Sequence, residues 1–190
     1  MAMPRTPASI STIEELLALL ADGLRHELLD GVHVVTPAPE LPHQGILGRF
    51  YLALAAALAQ RDDLAVYLSP ADVVLGPKTS VQPDLFVVRK DPGQRLRSWR
   101  EIGVPVLAIE ILSPNTASCD RGAKRRIYQR VGVAEYWIVD PDARLVERWR
   151  PGEARPEIVT GTLEWRAAGT RATVPVDVAA IFDEVLGAEA

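Results

Sequence analysis

The sequence predicts an α/β protein whose central mixed or parallel sheet is covered by helices, on three observations. Val104 to Leu112 (VPVLAIEIL) is almost wholly apolar, the pattern of a strand buried on both faces. Two segments with helical apolar periodicity, His43 to Gln60 and Ser118 to Val131, alternate with strand-like runs. The chain has 190 residues, 48% apolar and 24% charged, enough for a sizeable core and close to the globular average. It shows no internal repeat, low-complexity tract or linker, so residues 1–190 read as one domain, with 1–24 and 151–190 as terminal extensions.

In chain order, Ile10 to Ala21 reads as a short helix, capped by Ser11 or Thr12 with Glu14 and Glu15 in its first turn. Arg25 to Val35 reads as a hairpin folded at Asp30-Gly31. Three prolines in TPAPELP break the chain before the helix from His43, which repeats Ile46, Leu47, Phe50, Leu54, Ala57 and Leu58 along one side. Ala65 to Ser69, Asp72 to Leu75 and Gln82 to Val88 read as strands, the first two around a proline turn. Arg89 to Gly103 reads as a loop and Val104 to Leu112 as the central strand. After the helix from Ser118, Tyr136 to Val139 and Leu145 to Arg150 read as strands joined by an Asp140-Pro141-Asp142 turn. From Pro151, short strands lead to a helix over Val178 to Leu186.

Composition excludes several classes of function. The longest apolar run, Leu52 to Ala59, is far short of the roughly 20 residues that span a bilayer. No basic segment followed by an apolar one opens the chain, so no signal peptide is expected. A single cysteine, Cys119, excludes an internal disulfide and a cysteine-rich zinc site; it has no base signature beside it, so it reads poorly as a nucleophile. A cytoplasmic protein without membrane contact is the expectation. Net charge is −4, which argues against a basic nucleic-acid coat. The charge is uneven: Arg89 to Arg130 holds ten Lys or Arg against four Asp or Glu, so this stretch is +6 and the rest −10.

The candidate chemistry lies in and beside that basic stretch. Asp84 follows Pro83 inside an apolar strand, and Glu110 sits in the middle of VLAIEIL. An acid on an interior strand carries a large desolvation cost unless a cation, hydrogen bonds or a metal offsets it. Two such acids on neighbouring strands suit a shared Mg²⁺ or Mn²⁺; an arginine at a strand end is the plainer partner for each. At 100° per residue, Asp120, Ile127, Tyr128 and Val131 fall within about sixty degrees of Lys124, whereas Arg125, Arg126 and Arg130 point away. Lys124 is therefore expected to face the protein or a cleft, either holding a water or phosphate oxygen or reaching past Ile127 to pair with Asp120. The chain has three lysines against eighteen arginines, so a lysine here is a selective choice. Two acids and an ammonium fit metal-assisted phosphodiester hydrolysis, with the lysine orienting or helping to deprotonate the water.

The runs QPDLFVV, PVLAIEILSPNT and DRGAKRRIYQRVGVAEYWIVDP resemble the Uma-type putative restriction endonucleases of the PD-(D/E)XK nuclease superfamily. RHELLDG, PHQGILGRF and VPVDVAAIF carry the likeness over about Ile13 to Leu186. The resemblance implies a restriction-endonuclease-like core with the active site at one edge of a mixed sheet. Pro83-Asp84 matches the PD element and Glu110 the acid of E-x-K. The position two after Glu110 is Leu112 rather than Lys, and Lys124 matches a lysine moved to the following helix. By the same analogy the Ile111 carbonyl is a further metal ligand.

Supporting candidates are Glu27, which matches a recurrent family acid and either completes the metal site or pairs with Arg25; His43, with Gln44, at the start of the long helix, near substrate or idle; and Tyr128, bonding Lys124 or packing. His26 and His33 read as surface residues, and Tyr136 and Trp137 as core or interface. Arg95, Arg97, Arg100, Arg121 and Arg125 are the expected phosphate contacts. The expected function is a Mg²⁺- or Mn²⁺-dependent endonuclease acting on DNA as a homodimer. The alternatives are a catalytically silent nucleic-acid-binding member of the fold, and an interaction module whose acids are structural ion pairs.

Overall fold

The computed structural model describes residues 10–19, 22–98, 101–167 and 173–188. Its elements are α1 (Ile13–Leu17), β1 (Arg25–Leu29), β2 (Val32–Thr36), α2 (Leu41–Leu58), β3 (Leu64–Leu68), β4 (Val73–Gly76), β5 (Thr79–Val81), β6 (Leu85–Arg89) and β7 (Leu107–Ile111). Then come α3 (Ala117–Cys119), a π-helical turn (Asp120–Lys124), α4 (Arg125–Val131), β8 (Glu135–Asp140), β9 (Leu145–Trp149), β10 (Glu157–Val159), β11 (Thr162–Trp165), β12 (Val174–Asp177) and α5 (Val178–Leu186).

Local chemistry explains most boundaries. Asp30 and Gly31 take φ 53° and 85°, the left-handed pair that a two-residue hairpin turn needs, so the hairpin forms as expected. Helix α2 starts two residues before His43 because Pro42 fits the first turn, where an N–H has no helical partner anyway. Helix α1 is shorter than expected in the described residues; Thr12 and Glu15 close a reciprocal capping box at its start. The strand expected from Gln82 begins only at Leu85, since Pro83 has no N–H for the ladder. Strand β5 was not anticipated. Its three residues carry no periodicity of their own and are ordered by pairing with β4 and with Leu28 of β1.

The central sheet has six strands in the order β10-β9-β8-β7-β6-β3. Only β7 and β8 run parallel, Glu110 standing opposite Ile138; the other pairs are antiparallel, so the sheet is mixed. A parallel pair requires a crossover, and α3, the π turn and α4 supply it. A second sheet, β2-β1-β5-β4, and the β11-β12 ribbon complete the fold.

Alternation along the strands sorts two cores. Leu85, Val87, Leu107, Ile109 and Ile111 pack with Ile46, Phe50 and Leu54 of α2 and Phe182 of α5. Phe86, Val88, Ala108 and Ile138 pack on the other side with Ile127 and Tyr128 of α4 and with Val73 and Val81 of the second sheet. Asp84 and Glu110 share the parity of this second side. The polar site therefore forms between the central sheet, the crossover helix and the second sheet. No described helix is long and apolar enough to cross a membrane.

Candidate active site

Strands β6 and β7 are antiparallel with Leu85 opposite Ile109, so the head of β6 lies beside the end of β7. Asp84 stands one position before that pair and Glu110 one after it. The Ile111 N–H donates to Asp84 Oδ2 (2.8 Å), and Arg25, the first residue of β1, donates from Nη2 to Asp84 Oδ1 (2.6 Å) and to Ser69 Oγ (2.7 Å). His43 Nε2 lies 3.1 Å from Asp84 Oδ2. A carboxylate only accepts, so His43 donates from Nε2–H, and its buried Nδ1 has no partner among the described residues.

Lys124 enters from the crossover helix. Its Nζ lies 3.0 Å from Glu110 Oε1, 3.0 Å from Glu27 Oε1 and 3.4 Å from Asp120 Oδ1. The Tyr128 hydroxyl also donates to Glu110 Oε1 (3.0 Å), and the Gln82 N–H donates to Glu27 Oε1 (2.7 Å). Asp84, Glu110 and Lys124 are each only 2% exposed. The inward stripe expected on this helix is present, with one modification. The Arg125 N–H bonds to the Asp120 carbonyl five residues back, which widens the helix into a π turn under the lysine. The Tyr136 hydroxyl donates to that same carbonyl (3.1 Å).

The electrostatics follow from burial and from an excess of acids. Burial opposes ionisation of Asp84, but His43, Arg25 and the Ile111 N–H outweigh it and hold the carboxyl at about 2. Glu110 is pushed well above the usual range by burial, against the pull of Lys124, with Asp120, Asp84 and Glu27 adding to the rise. Asp120 is raised by its own burial. Burial alone would lower Lys124, yet Glu110, Glu27 and Asp120 together raise it well above the ordinary value, so it is a fixed ammonium.

A cleft of about 750 Å³ opens over this cluster, lined by Arg25, His43, Asp84, Glu110, Ile111 and Arg121 among others. Four buried acids, Glu27, Asp84, Glu110 and Asp120, face two permanent cations, Arg25 and Lys124. Burial and that surplus of acids over cations together raise Glu110 and Asp120; the surplus is what a divalent cation would offset, and the oxygen donors suit Mg²⁺ or Mn²⁺. Among the described residues no group of three or more His, Cys, Asp or Glu is arranged to hold a metal. Two carboxylates with a backbone carbonyl remain a fitting set, since Mg²⁺ keeps several waters and takes one or two carboxylates.

The basic candidates are placed unevenly. Arg95 and Arg97 are exposed in the loop after β6, and Arg100 lies outside the described residues. Arg121 lines the cleft but donates to Glu147 Oε1 and Asp140 Oδ2 (both 2.6 Å). Arg125 lies over the Trp149 ring (4.6 Å) and donates to the Arg121 carbonyl and to Gln129. Of the two readings of Glu27, pairing with Arg25 is not the hydrogen bond seen: Glu27 bonds Lys124 and Arg25 takes Asp84. Sequence reasoning missed Arg25 as a site residue. The available signal was its spacing of two from Glu27 on one strand, which puts both side chains on the same face. His26 and His33 stack, with Nδ1 and Nε2 3.0 Å apart, away from the Asp84 cluster.

Comparison with known proteins shows the family and the fold. A family model described as "Uma2: Putative restriction endonuclease" matches residues 13–174. A crystal structure described as that of a putative nuclease belonging to DUF820 from Anabaena variabilis is similar in fold. Its TM-score is 0.74 at 20% identity, over 92% of this chain and 98% of that one. No curated protein matches the chain.

Proposed function

The chain belongs to the Uma2 family, whose model is described as a putative restriction endonuclease, and from that premise we propose that it is a metal-dependent endonuclease hydrolysing phosphodiester bonds in DNA. Residues 1–190 act in this reading as one nuclease domain, in the cytoplasm, paired by a twofold axis that presents one site to each strand. The observation that carries the reading is the buried Lys124 ammonium, 3.0 Å from Glu110, which with Asp84 lines an open cleft.

Asp84 and Glu110, with the Ile111 carbonyl, would hold the divalent ion, which would supply acidification of a water and offset charge on the phosphoryl oxygens. The chain's own groups prepare the reaction. Lys124 and Tyr128 both donate to Glu110 Oε1, which fixes the carboxylate in one orientation. His43 and the Ile111 N–H do the same for Asp84. Three acids keep Lys124 protonated, so it orients the attacking water and stabilises developing negative charge rather than accepting a proton. Arg95 and Arg97 on the exposed loop are the nearest match to phosphate contacts, because Arg121 and Arg125 already have partners within the chain.

Nicking of supercoiled DNA in Mg²⁺ or Mn²⁺, with EDTA and RNA controls, tests the reading. Asp84→Asn and Glu110→Gln should abolish cleavage while keeping the melting curve cooperative; unchanged cleavage by either variant overturns the assignment. A silent nucleic-acid binder is the second reading, favoured by the protein donors on both oxygens of Asp84. DNA binding with no turnover in any divalent ion would support it.

A further inference from the structure

We propose that Arg25 is an exchangeable counter-ion: it neutralises Asp84 while no divalent ion is bound, competes with that ion for the carboxylate, and once displaced grips a phosphate of the substrate. This rests on the metal-dependent reading above and deepens it.

The two oxygens of Asp84 are held differently. Oδ2 takes the Ile111 N–H and His43, contacts that set the orientation of the carboxylate. Among the described residues Oδ1 takes Arg25 alone, at 2.6 Å. One oxygen is thus anchored by the frame, and the other is covered by a single group whose departure would leave the carboxylate in place. A guanidinium and a divalent cation offer Asp84 the same thing, positive charge against a buried anion, and both cannot take the same lone pairs.

Arg25 is also placed to move and to do something once moved. Of its five N–H donors, only those on Nη2 are used, toward Asp84 and Ser69; Nε and Nη1 make no hydrogen bond within the described residues. The side chain is 17% exposed and lines both the active cleft and a second cleft of about 510 Å³. The two clefts are divided by Pro37, Ala38 and Pro39, which line both. A fork with unused donors at the wall between two openings is suited to two oxygens of a phosphate. Burial would lower its charge, but Asp84, Glu110 and Glu27 hold it positive, so it arrives at the substrate as a cation.

The test compares wild type with Arg25→Gln and Arg25→Lys. Calorimetric titration with Mn²⁺ alone should show Arg25→Gln binding the ion roughly tenfold more tightly, equivalent to about 1.4 kcal/mol. Duplex DNA binding, followed by fluorescence anisotropy with Ca²⁺ or with EDTA, should show the ion tightening wild-type binding and that gain shrinking several-fold in Arg25→Gln. The salt slope of binding should fall by about one contact. Arg25→Lys keeps the charge without the fork, so its Mn²⁺ affinity should stay near wild type while the gain with Ca²⁺ falls. Equal or weaker Mn²⁺ binding by Arg25→Gln overturns the exchange and leaves the nuclease reading standing. Absence of Mn²⁺ binding in every protein overturns the metal site and the exchange together. If Arg25→Gln does not fold, Ser69→Ala removes the second anchor of the guanidinium and should tighten Mn²⁺ binding by a smaller factor; no change there overturns the exchange as well.

Discussion

Lys124 Nζ lies 3.0 Å from Glu110 Oε1, joining a crossover helix to one of the two central strands of the sheet it crosses. The pair is almost dry, with side chains 3% and 2% exposed. Removing either charge from such a place strands the other, whereas at the surface the same change would cost little.

Lys124→Met should therefore show two separate losses. Glu27, Glu110 and Asp120 would be left buried without their shared cation, a cost of about 3–5 kcal/mol by denaturant unfolding. Cleavage should fall by roughly 10²–10³-fold even at temperatures where the variant is folded. Adding Glu110→Gln should recover part of the stability and none of the activity. A Lys124→Met protein as stable as wild type would mean that the ammonium does not balance these acids.

Tyr128→Phe removes one donor from Glu110 Oε1 and leaves the ring packing on Tyr136 in place. The expected destabilisation is about 1–2 kcal/mol, the cost of an unmade buried hydrogen bond. If the hydroxyl positions Glu110, Mn²⁺ affinity should weaken about tenfold with it, as losing such an outer-shell partner does. A change in melting temperature with Mn²⁺ affinity untouched would assign Tyr128 to the core alone.

Cys119 tests the exclusion of thiol chemistry. Burial raises its thiol to about 11, with Asp120, Glu27 and Glu110 adding to the rise against Lys124. The thiolate is the reactive form, so at pH 8 alkylation should run roughly two orders of magnitude slower than for a free cysteine and accelerate only as pH approaches 11. Cys119→Ser should cleave DNA as wild type does. Loss of cleavage in that variant would reopen a role for sulfur.

Gly45 lies two residues after His43, where α2 meets α5. A Cβ added there would stand 2.8 Å from Val185 Cγ1, closer than side chains pack. Gly45→Val should cost about 1–3 kcal/mol through overpacking. Val185→Ala in the same chain should return much of that loss, since the two changes share one space. Additive destabilisation would place the strain elsewhere.

Local pattern was enough for much of this protein. The apolar run around Glu110 showed a strand buried on both faces, and the hundred-degree count brought Asp120, Lys124 and Tyr128 onto one inward stripe. Both are properties of a dozen or so consecutive residues, and the burial of the parts follows from their periodicity. The hairpin at Asp30-Gly31 was legible for the same reason, because its turn is written in two adjacent residues.

Other features are pairings between distant segments, and no local period encodes them. Arg25 and Asp84 are 59 residues apart and meet only because β1 and the head of β6 converge at one end of the fold. Strand β5 exists through its ladder partners rather than its own propensity. The pairing of Arg121 with Glu147 and Asp140 depends on how the crossover helix lies against β8 and β9. The sequence by itself determined the buried faces of the elements that carry a hydrophobic period, because there burial follows from that period. Only the tertiary structure decided which buried charge faces which, because Coulomb attraction and hydrogen bonding act over a few ångströms of space and are indifferent to distance along the chain.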